Sequence, residues 1–170
     1  ATATSAVWNF GDGNTSNSLS PTHTYSAPGT YTVSVTATSS SGTGVTTRDI
    51  IISEVPTATQ PNNISICDDN NDGFYNFDLT SRKLTILNGQ SESQFNVRYF
   101  ANPTNYSNNV VISNPASFQN TTVYQSHTII AEVYNIANPN CKTTTTFDIQ
   151  VFESPRPSLS VSPIQLCDNT

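Results

Sequence analysis

Hydrophobic and polar residues alternate over short stretches along the whole chain. In Thr30-Tyr31-Thr32-Val33-Ser34-Val35-Thr36-Ala37, the side chains of Tyr31, Val33 and Val35 fall on one side, and the threonines and the serine on the other. A period of two predicts a strand with one face turned to a core. Phe147, Ile149 and Val151 alternate in the same way with Asp148 and Gln150. Further strands are expected over 6–10, 45–53, 74–79, 95–100, 128–136 and 143–152. Helical periodicity never extends beyond about ten residues. One short helix is predicted over 81–87, capped by Thr80 and stopped by Asn88-Gly89. Residues 102–122 read as an ordered covering loop anchored by Tyr106, Val110, Val111, Ile112 and Phe118.

Turn residues divide these strands. Gly11-Asp12-Gly13-Asn14 follows the first, Pro28-Gly29 opens the second, and Ser39-Ser40-Ser41-Gly42 turns the chain into the third. Two prolines in 54–61 predict a stiff, extended joint, and Glu153-Ser154-Pro155-Arg156-Pro157 occupies the matching place later in the chain. The predicted fold is all-β, with tandem Ig-like or fibronectin-like sandwiches arranged end to end. The expected domains are an N-terminally incomplete sandwich over 1–53, a linker over 54–61, a bridged sandwich over 62–153, and a linker with the first strand of a further repeat over 154–170.

Composition narrows the function. Only 11% of residues are charged and methionine is absent, while Asn, Thr and Ser abound, so the surface is solvated by amides and hydroxyls. The net charge of −6 includes only six basic residues, scattered apart from the pair Arg82-Lys83, which excludes an electrostatic footprint for nucleic acid. No apolar run reaches the roughly 18 residues that a membrane-spanning helix needs. An extracellular, cell-surface location without membrane insertion is expected.

The sequence Ile64-Ser65-Ile66-Cys67-Asp68-Asp69 returns as Ile164-Gln165-Leu166-Cys167-Asp168-Asn169, a shift of 167 − 67 = 100 residues. The chain is expected to be part of a longer tandem array. Counted by repeat, Cys67 and Cys141 fall in one unit and Cys167 opens the next. This predicts one bridge per repeat, Cys67 to Cys141, with Cys167 paired to a cysteine of the following repeat. Such a bridge would close about 75 residues and contribute roughly 4 kcal/mol in the chain-entropy model. Persistent bridges imply an oxidising compartment, whereas three free thiols are the alternative.

Four acidic residues, Asp68, Asp69, Asp72 and Asp78, lie within eleven positions. Oxygen-bearing side chains at Asp68, Asn70 and Asp72, followed by Gly73, match the start of a calcium loop, with Phe74 offering its carbonyl and Asp78 a late carboxylate. The twelfth position of an EF-hand would be Leu79, so a shorter structural calcium loop between strands is predicted instead. The competing reading is an Asx-rich turn that caps its own backbone.

Catalysis finds little support. His23 reads as a packed or hydrogen-bonded residue, His127 has no acid or nucleophile motif beside it, and no Gly-x-Ser-x-Gly turn occurs. The cysteines are too far apart for paired zinc spacing. Trp8 and Tyr31 are expected in the core rather than on a sugar-stacking platform.

Trp8-Asn9-Phe10-Gly11-Asp12-Gly13, Pro21-Thr22-His23-Thr24-Tyr25 and Pro28-Gly29-Thr30-Tyr31-Thr32-Val33 resemble a PKD domain, an Ig-like sandwich repeated in surface proteins. Asn9 stands where that family usually has Asp, and the strands that precede Trp8 in the family are almost entirely missing. Residues 56–170, with Cys67-Asp68-Asp69-Asn70-Asn71-Asp72-Gly73 leading into Phe77-Asp78-Leu79-Thr80, then Asn96-Val97-Arg98-Tyr99-Phe100 and a late Cys141, resemble the roughly 100-residue repeats of giant adhesins. Those adhesins belong to gliding Bacteroidetes that export through the type IX system. The resemblance implies a stalk or filament for attachment or gliding, with neighbouring repeats, surface glycans or other copies of the filament as partners. The alternatives are a spacer or accessory region of a secreted polysaccharide- or protein-degrading enzyme, and a carbohydrate-binding module.

Overall fold

A computed structural model describes residues 2–155. Cys167 and the second copy of the Cys-Asp motif lie outside the described residues. The strands are β1 Ser5–Asn9, β2 Thr15–Ser16, β3 Gly29–Ser39, β4 Gly42–Ile52, β5 Ile64–Asp68, β6 Asn76–Phe77, β7 Phe95–Phe100, β8 Phe118–Gln119, β9 His127–Asn135 and β10 Lys142–Glu153. Two short helices, α1 Lys83–Leu87 and α2 Pro103–Ser107, complete the fold with single 3₁₀ turns at Leu79–Arg82 and Pro115–Ser117.

The first four strands form one antiparallel sheet in the order β2-β1-β3-β4. Its register places Trp8 opposite Val35, and Val35 opposite Thr46, so the alternation read from the sequence becomes one apolar row. The row remains largely uncovered. Of the whole sheet and its loops only Ala6 and Phe10 are buried, and Trp8, Val33, Val35, Thr46 and Arg48 line an open hollow of about 320 Å³. The turn after β1 needs glycine: Gly11 has φ +80°, and a Cβ there would lie 2.7 Å from the Thr32 carbonyl oxygen.

The later strands make a four-stranded sheet in the order β5-β10-β9-β7 and a two-stranded one, β6-β8. Here alternation leads to a dense interior. Phe147, Ile149 and Val151 of β10 are fully buried, as are Ile129, Ala131 and Val133 of β9, with Phe77, Leu79, Ile86, Leu87, Phe95 and Phe100. Tyr99 meets Phe147 edge-on at 6.5 Å. One pairing departs from an antiparallel meander: β5 runs parallel to β10, setting Ile64 beside Ile149, Ile66 beside Val151 and Cys67 beside Phe152. Glu132, fully buried on β9, pairs with Lys142 of β10 at 2.9 Å.

Several expected details shift. The helical segment begins earlier, because Asp78 rather than Thr80 caps it, accepting the Thr80 amide at 2.9 Å. Asn88 (φ 47°) and Gly89 (φ 83°) end it as expected. The strand expected over 74–79 shrinks to Asn76–Phe77. In the covering segment, Tyr106 packs edge-on against Phe100, Ile112 donates its amide to the Tyr99 carbonyl and Phe118 pairs with Phe77, but Val110 and Val111 are exposed.

The chain divides into two compact units, one comprising Ala1–Thr59, Ile86–Val97 and Glu132–Thr145, the other Gln60–Thr85, Arg98–Ala131 and Thr146 onward. Within the first, the proline-containing stretch is clamped by hydrogen bonds. Gln90 accepts the Thr57 amide and donates to its carbonyl, at 3.0 and 2.8 Å, and the Thr59 amide donates to the Ile86 carbonyl at 3.0 Å. Thr143 donates to the Pro56 carbonyl at 2.8 Å and Asn135 to that of Glu54 at 3.1 Å. An extended proline segment leaves its carbonyls free for such donors.

Candidate functional site

The Cys-Asp loop grows directly out of β5. Asp68, its last residue, is buried, and burial alone would raise its carboxyl. The Gly73 amide, the Tyr124 hydroxyl and the amides of Asn71 and Asn70 outweigh that and hold it below its ordinary value. The Gly73 amide donates at 2.6 Å and Tyr124 at 3.1 Å, both to the same carboxylate oxygen, while the Asn70 amide reaches the other at 3.3 Å. Asn70 accepts the Asp72 amide at 3.1 Å and donates its side-chain amide to the Asp72 carboxylate at 2.9 Å. Asp72 accepts the Phe74 amide at 2.8 Å. The bonds from the amides of Asn70, Asp72 and Phe74 to the side chains two residues earlier are Asx turns.

The loop's return is held by residues that the sequence pattern did not single out. Asn120, buried on the far side, accepts the Tyr75 amide at 2.7 Å and donates to the carbonyls of Gly73 and Thr122, both at 2.8 Å. Asn71, at φ 56°, accepts the Ser154 amide at 3.0 Å. Gly73 has φ +80°, and a Cβ there would sit 2.1 Å from Val123 Cγ1. Only the loop residues themselves carried a sequence signal; Asn120 and Tyr124, some 50 positions away, carried none.

The expected calcium ligands are brought together only in part. Asp68, Asn70 and Phe74 line one hollow of about 210 Å³ with Cys67, Asp69 and Tyr75, but Asp68 accepts from Gly73 and Tyr124, Asn70 and Asp72 hold each other, and Asp78 caps the 3₁₀ turn. Among the described residues no group of three or more His, Cys, Asp or Glu side chains is placed to hold a metal ion. The donors to Asp68 and Asp72 are amides of the loop together with the Tyr124 hydroxyl, a pattern that a self-capped turn makes.

Cys67 and Cys141 are not bridged in this structure. Both are free thiols, Cys67 exposed and Cys141 half-buried. Cys67 sits beside Phe152 near the end of β10, whereas Cys141 immediately precedes its first residue, Lys142. The 152 − 141 = 11 residues of strand between those levels correspond to roughly 35 Å, and a disulfide needs Cα atoms within about 7 Å. Counting cysteines per repeat had assumed that partners in one repeat are neighbours in space, and a strand traversing the whole sheet separates them. Cys141 lies instead against Ser53, its sulfur 3.9 Å from the Ser53 carbonyl oxygen. The third cysteine of the expected set, Cys167, is outside the described residues.

In the first sheet the polar residues serve a stack of rings. His23 lies on Phe10 with centroids 4.1 Å apart, Tyr25 on Tyr31 at 4.1 Å, and His23 meets Tyr25 edge-on. Asp12 meets His23 at 2.7 Å; desolvation opposes ionisation, yet bonds from Asn14 and His23 lower the carboxyl to about 2. Trp8 is half-buried, donating to the Ser18 carbonyl at 3.1 Å, and Tyr31 donates to that of Ala27. His127 contacts the Ala101 carbonyl and the edge of Phe118.

Comparison with known proteins follows the same division. Residues 1–53 match the model of a PKD domain. No curated protein matches the chain. Among solved structures, the fibronectin(III)-like modules of Clostridium thermocellum CbhA align at 14% identity and TM-score 0.36, over 89% of this chain and 79% of that one. Residues 63–156, which contain both described cysteines and the Cys-Asp loop, match the model of the Flavobacterium inter-domain disulphide bond domain. Mostly β-strand with few helices among the described residues and led by an Ig-like PKD domain, the chain belongs to the Flavobacterium inter-domain disulphide bond domain family.

Proposed function

We propose that this chain is a structural segment of a long cell-surface adhesin or filament, a stalk that serves attachment or gliding in a bacterium exporting through the type IX system. Its two domain families fit an extracellular multidomain protein. The observation that carries the finer reading is the placement of Cys67 and Cys141 at opposite ends of β10, where neither reaches the other. A module with a thiol at each end of its longest strand joins neighbours on both sides. The return of the Cys67 motif at Cys167 supplies such a neighbour. The partners are adjoining repeats of the same chain, other copies of the filament and surface glycans, and the segment itself carries out no catalysis.

Antibodies raised against residues 1–155 test this on intact cells. The expected result is labelling of unpermeabilised cells, and loss of surface attachment or gliding when the gene is deleted. A catalytic domain in the same polypeptide, with attachment and gliding intact in the deletion strain, would favour the accessory region of a secreted enzyme.

A further inference from the structure

The end of α1 is a fastening point for the proline-containing stretch. The Thr59 amide donates to the Ile86 carbonyl at 3.0 Å. Gln90 holds Thr57 through both its amide, accepted at 3.0 Å, and its carbonyl, reached at 2.8 Å, and also donates to the Leu87 carbonyl at 2.8 Å. Between these contacts lie Asn88 and Gly89, which close the helix in left-handed conformations with φ 47° and 83°.

Asn88-Gly89 is the only Asn-Gly pair in the chain. Asparagine is thermolabile, and most so before glycine, where the following backbone nitrogen meets no side chain on its way to the carboxamide. The structure keeps that path open. Both residues are exposed, and a Cβ at Gly89 would find nothing within 4 Å, so the peptide between them has room to turn. Asn88 also carries the strain of a left-handed residue that is not glycine. The other left-handed asparagines lack this combination: Asn71 accepts the Ser154 amide and precedes Asp72, and Asn109 precedes the β-branched Val110. At the two Asp-Gly pairs the carboxylates are occupied, Asp12 by Asn14 and His23, and Asp72 by Asn70 and the Phe74 amide.

We propose that Asn88 is a deamidation site and that its conversion unfastens the proline-containing stretch. The Gly89 backbone nitrogen, giving up its proton to hydroxide, attacks Asn88 Cγ. A C–N bond forms, the Cγ–Nδ2 bond breaks, and ammonia leaves with the proton returned through water, so that a cyclic imide remains. Water then adds to an imide carbonyl. Opening at the side-chain carbonyl gives aspartate; opening at the main-chain carbonyl gives isoaspartate, whose backbone runs through the former side chain and is longer by a methylene. Either product exchanges a neutral amide for a carboxylate, with no change of oxidation state. The longer backbone displaces Gln90 from Leu87 and Ile86, so the side chain that grips Thr57 loses its register. The new charge also falls at the C-terminal end of α1, where the helix carbonyls disfavour an anion. Since the reaction consumes only water, its extent reports how long the molecule has been in solution.

The test is to age the whole chain in mildly alkaline buffer and follow each asparagine by peptide mass spectrometry that separates aspartate from isoaspartate. Amide hydrogen exchange at Thr57 is measured on the same samples. Asn88 is expected to convert ahead of every other asparagine, mainly to isoaspartate, and Thr57 exchange to rise about tenfold as its bonds to Gln90 are lost. Gln90→Ala sets the scale: it removes the same bonds without any chemistry and should bring Thr57 to the level of the aged chain. Asn88→Gln should stop conversion at that position and keep Thr57 protected throughout. Retention of the Asn88 amide while other asparagines convert overturns the site. Unchanged Thr57 exchange, in the converted chain or in Gln90→Ala, overturns the unfastening.

Discussion

The two domains use the same alternation of apolar and polar residues and reach different interiors. In the first, Tyr31, Val33 and Val35 share a face that is only half-buried, and order comes from stacked rings and short polar bonds around Gly11. In the second, Phe147, Ile149 and Val151 share an equally regular face and are sealed. Periodicity identifies the side of a strand that is apolar, but burial is conferred by what covers that side. In the second domain Phe77 of β6 and Ile86 and Leu87 of α1 are fully buried as well, whereas residues 1–53 form a single sheet.

Truncation of a core side chain should separate the two domains most sharply. Phe147→Ala removes a fully buried ring and is expected to destabilise the second domain by about 3–5 kcal/mol, by loss of transfer energy plus the cavity left behind. Val35→Ala on the open row should cost about 1 kcal/mol or less. Urea denaturation followed by near-ultraviolet circular dichroism measures both. Equal losses would mean that the first sheet is covered in solution by protein outside these residues.

Polar satisfaction gives the next largest effect. Asn120→Ala deletes three hydrogen bonds and strands the Tyr75 amide and the Gly73 carbonyl, a loss of about 2–3 kcal/mol. Asn14→Ala, at an exposed turn of the first domain, should change stability by less than about 1 kcal/mol, since water replaces its bond to Asp12. The same denaturation curves sharpen the calcium question. A loop held by its own amides keeps its melting temperature in millimolar calcium, and a rise that disappears on chelation would show the carboxylates regrouping around a cation.

The longer strands β1, β3, β4, β7, β9 and β10 and the turns between them were legible because alternation and Gly/Pro punctuation are local signals, whereas β2, β5 and β8 were not among the expected strands. The parallel pairing of β5 with β10 was not legible either, because it joins residues some 85 positions apart and leaves no mark on either strand's period. That pairing decides the site. It sets Cys67 beside Phe152 near the end of β10, whereas Cys141 precedes the strand's first residue. The acidic loop was recognised as a unit, but not what it binds: Asx side chains followed by glycine suit a cation and a self-capped turn equally. The choice depends on Asn120, Tyr124 and Val123, which the fold brings from elsewhere in the chain.

Gly73 tests the loop's backbone apart from its charges. Gly73→Ala places a Cβ 2.1 Å from Val123 and forces a non-glycine residue to φ +80°, so a loss of about 1–3 kcal/mol is expected. Adding Val123→Ala should relieve the collision and leave the cost of the left-handed conformation, about 1 kcal/mol. A double variant no more stable than Gly73→Ala would show that the collision had already been absorbed by the side chain. Gly13, also at positive φ but with nothing within 4 Å of its Cβ position, should show the conformational part alone.

The smallest effects lie in titration, where the two domains hold a low carboxylate by different means. Asp12 is lowered to about 2 by Asn14 and His23, and Asp68 is lowered chiefly by the Gly73 amide and the Tyr124 hydroxyl. In both, the folded value lies below the unfolded one near 3.9, so the stabilisation is complete above that pH and is lost as the pH falls through the folded value. For Asp12 that window runs from about pH 4 down to about 2. Carboxyl carbon shifts read the two groups separately. His23→Ala should bring Asp12 up toward its ordinary value and leave Asp68 where it is, while Tyr124→Phe should raise Asp68 alone. If Asp12 still titrates near 2 without the ring, the Asn14 bonds suffice, and both domains hold their low carboxylate by turn hydrogen bonding.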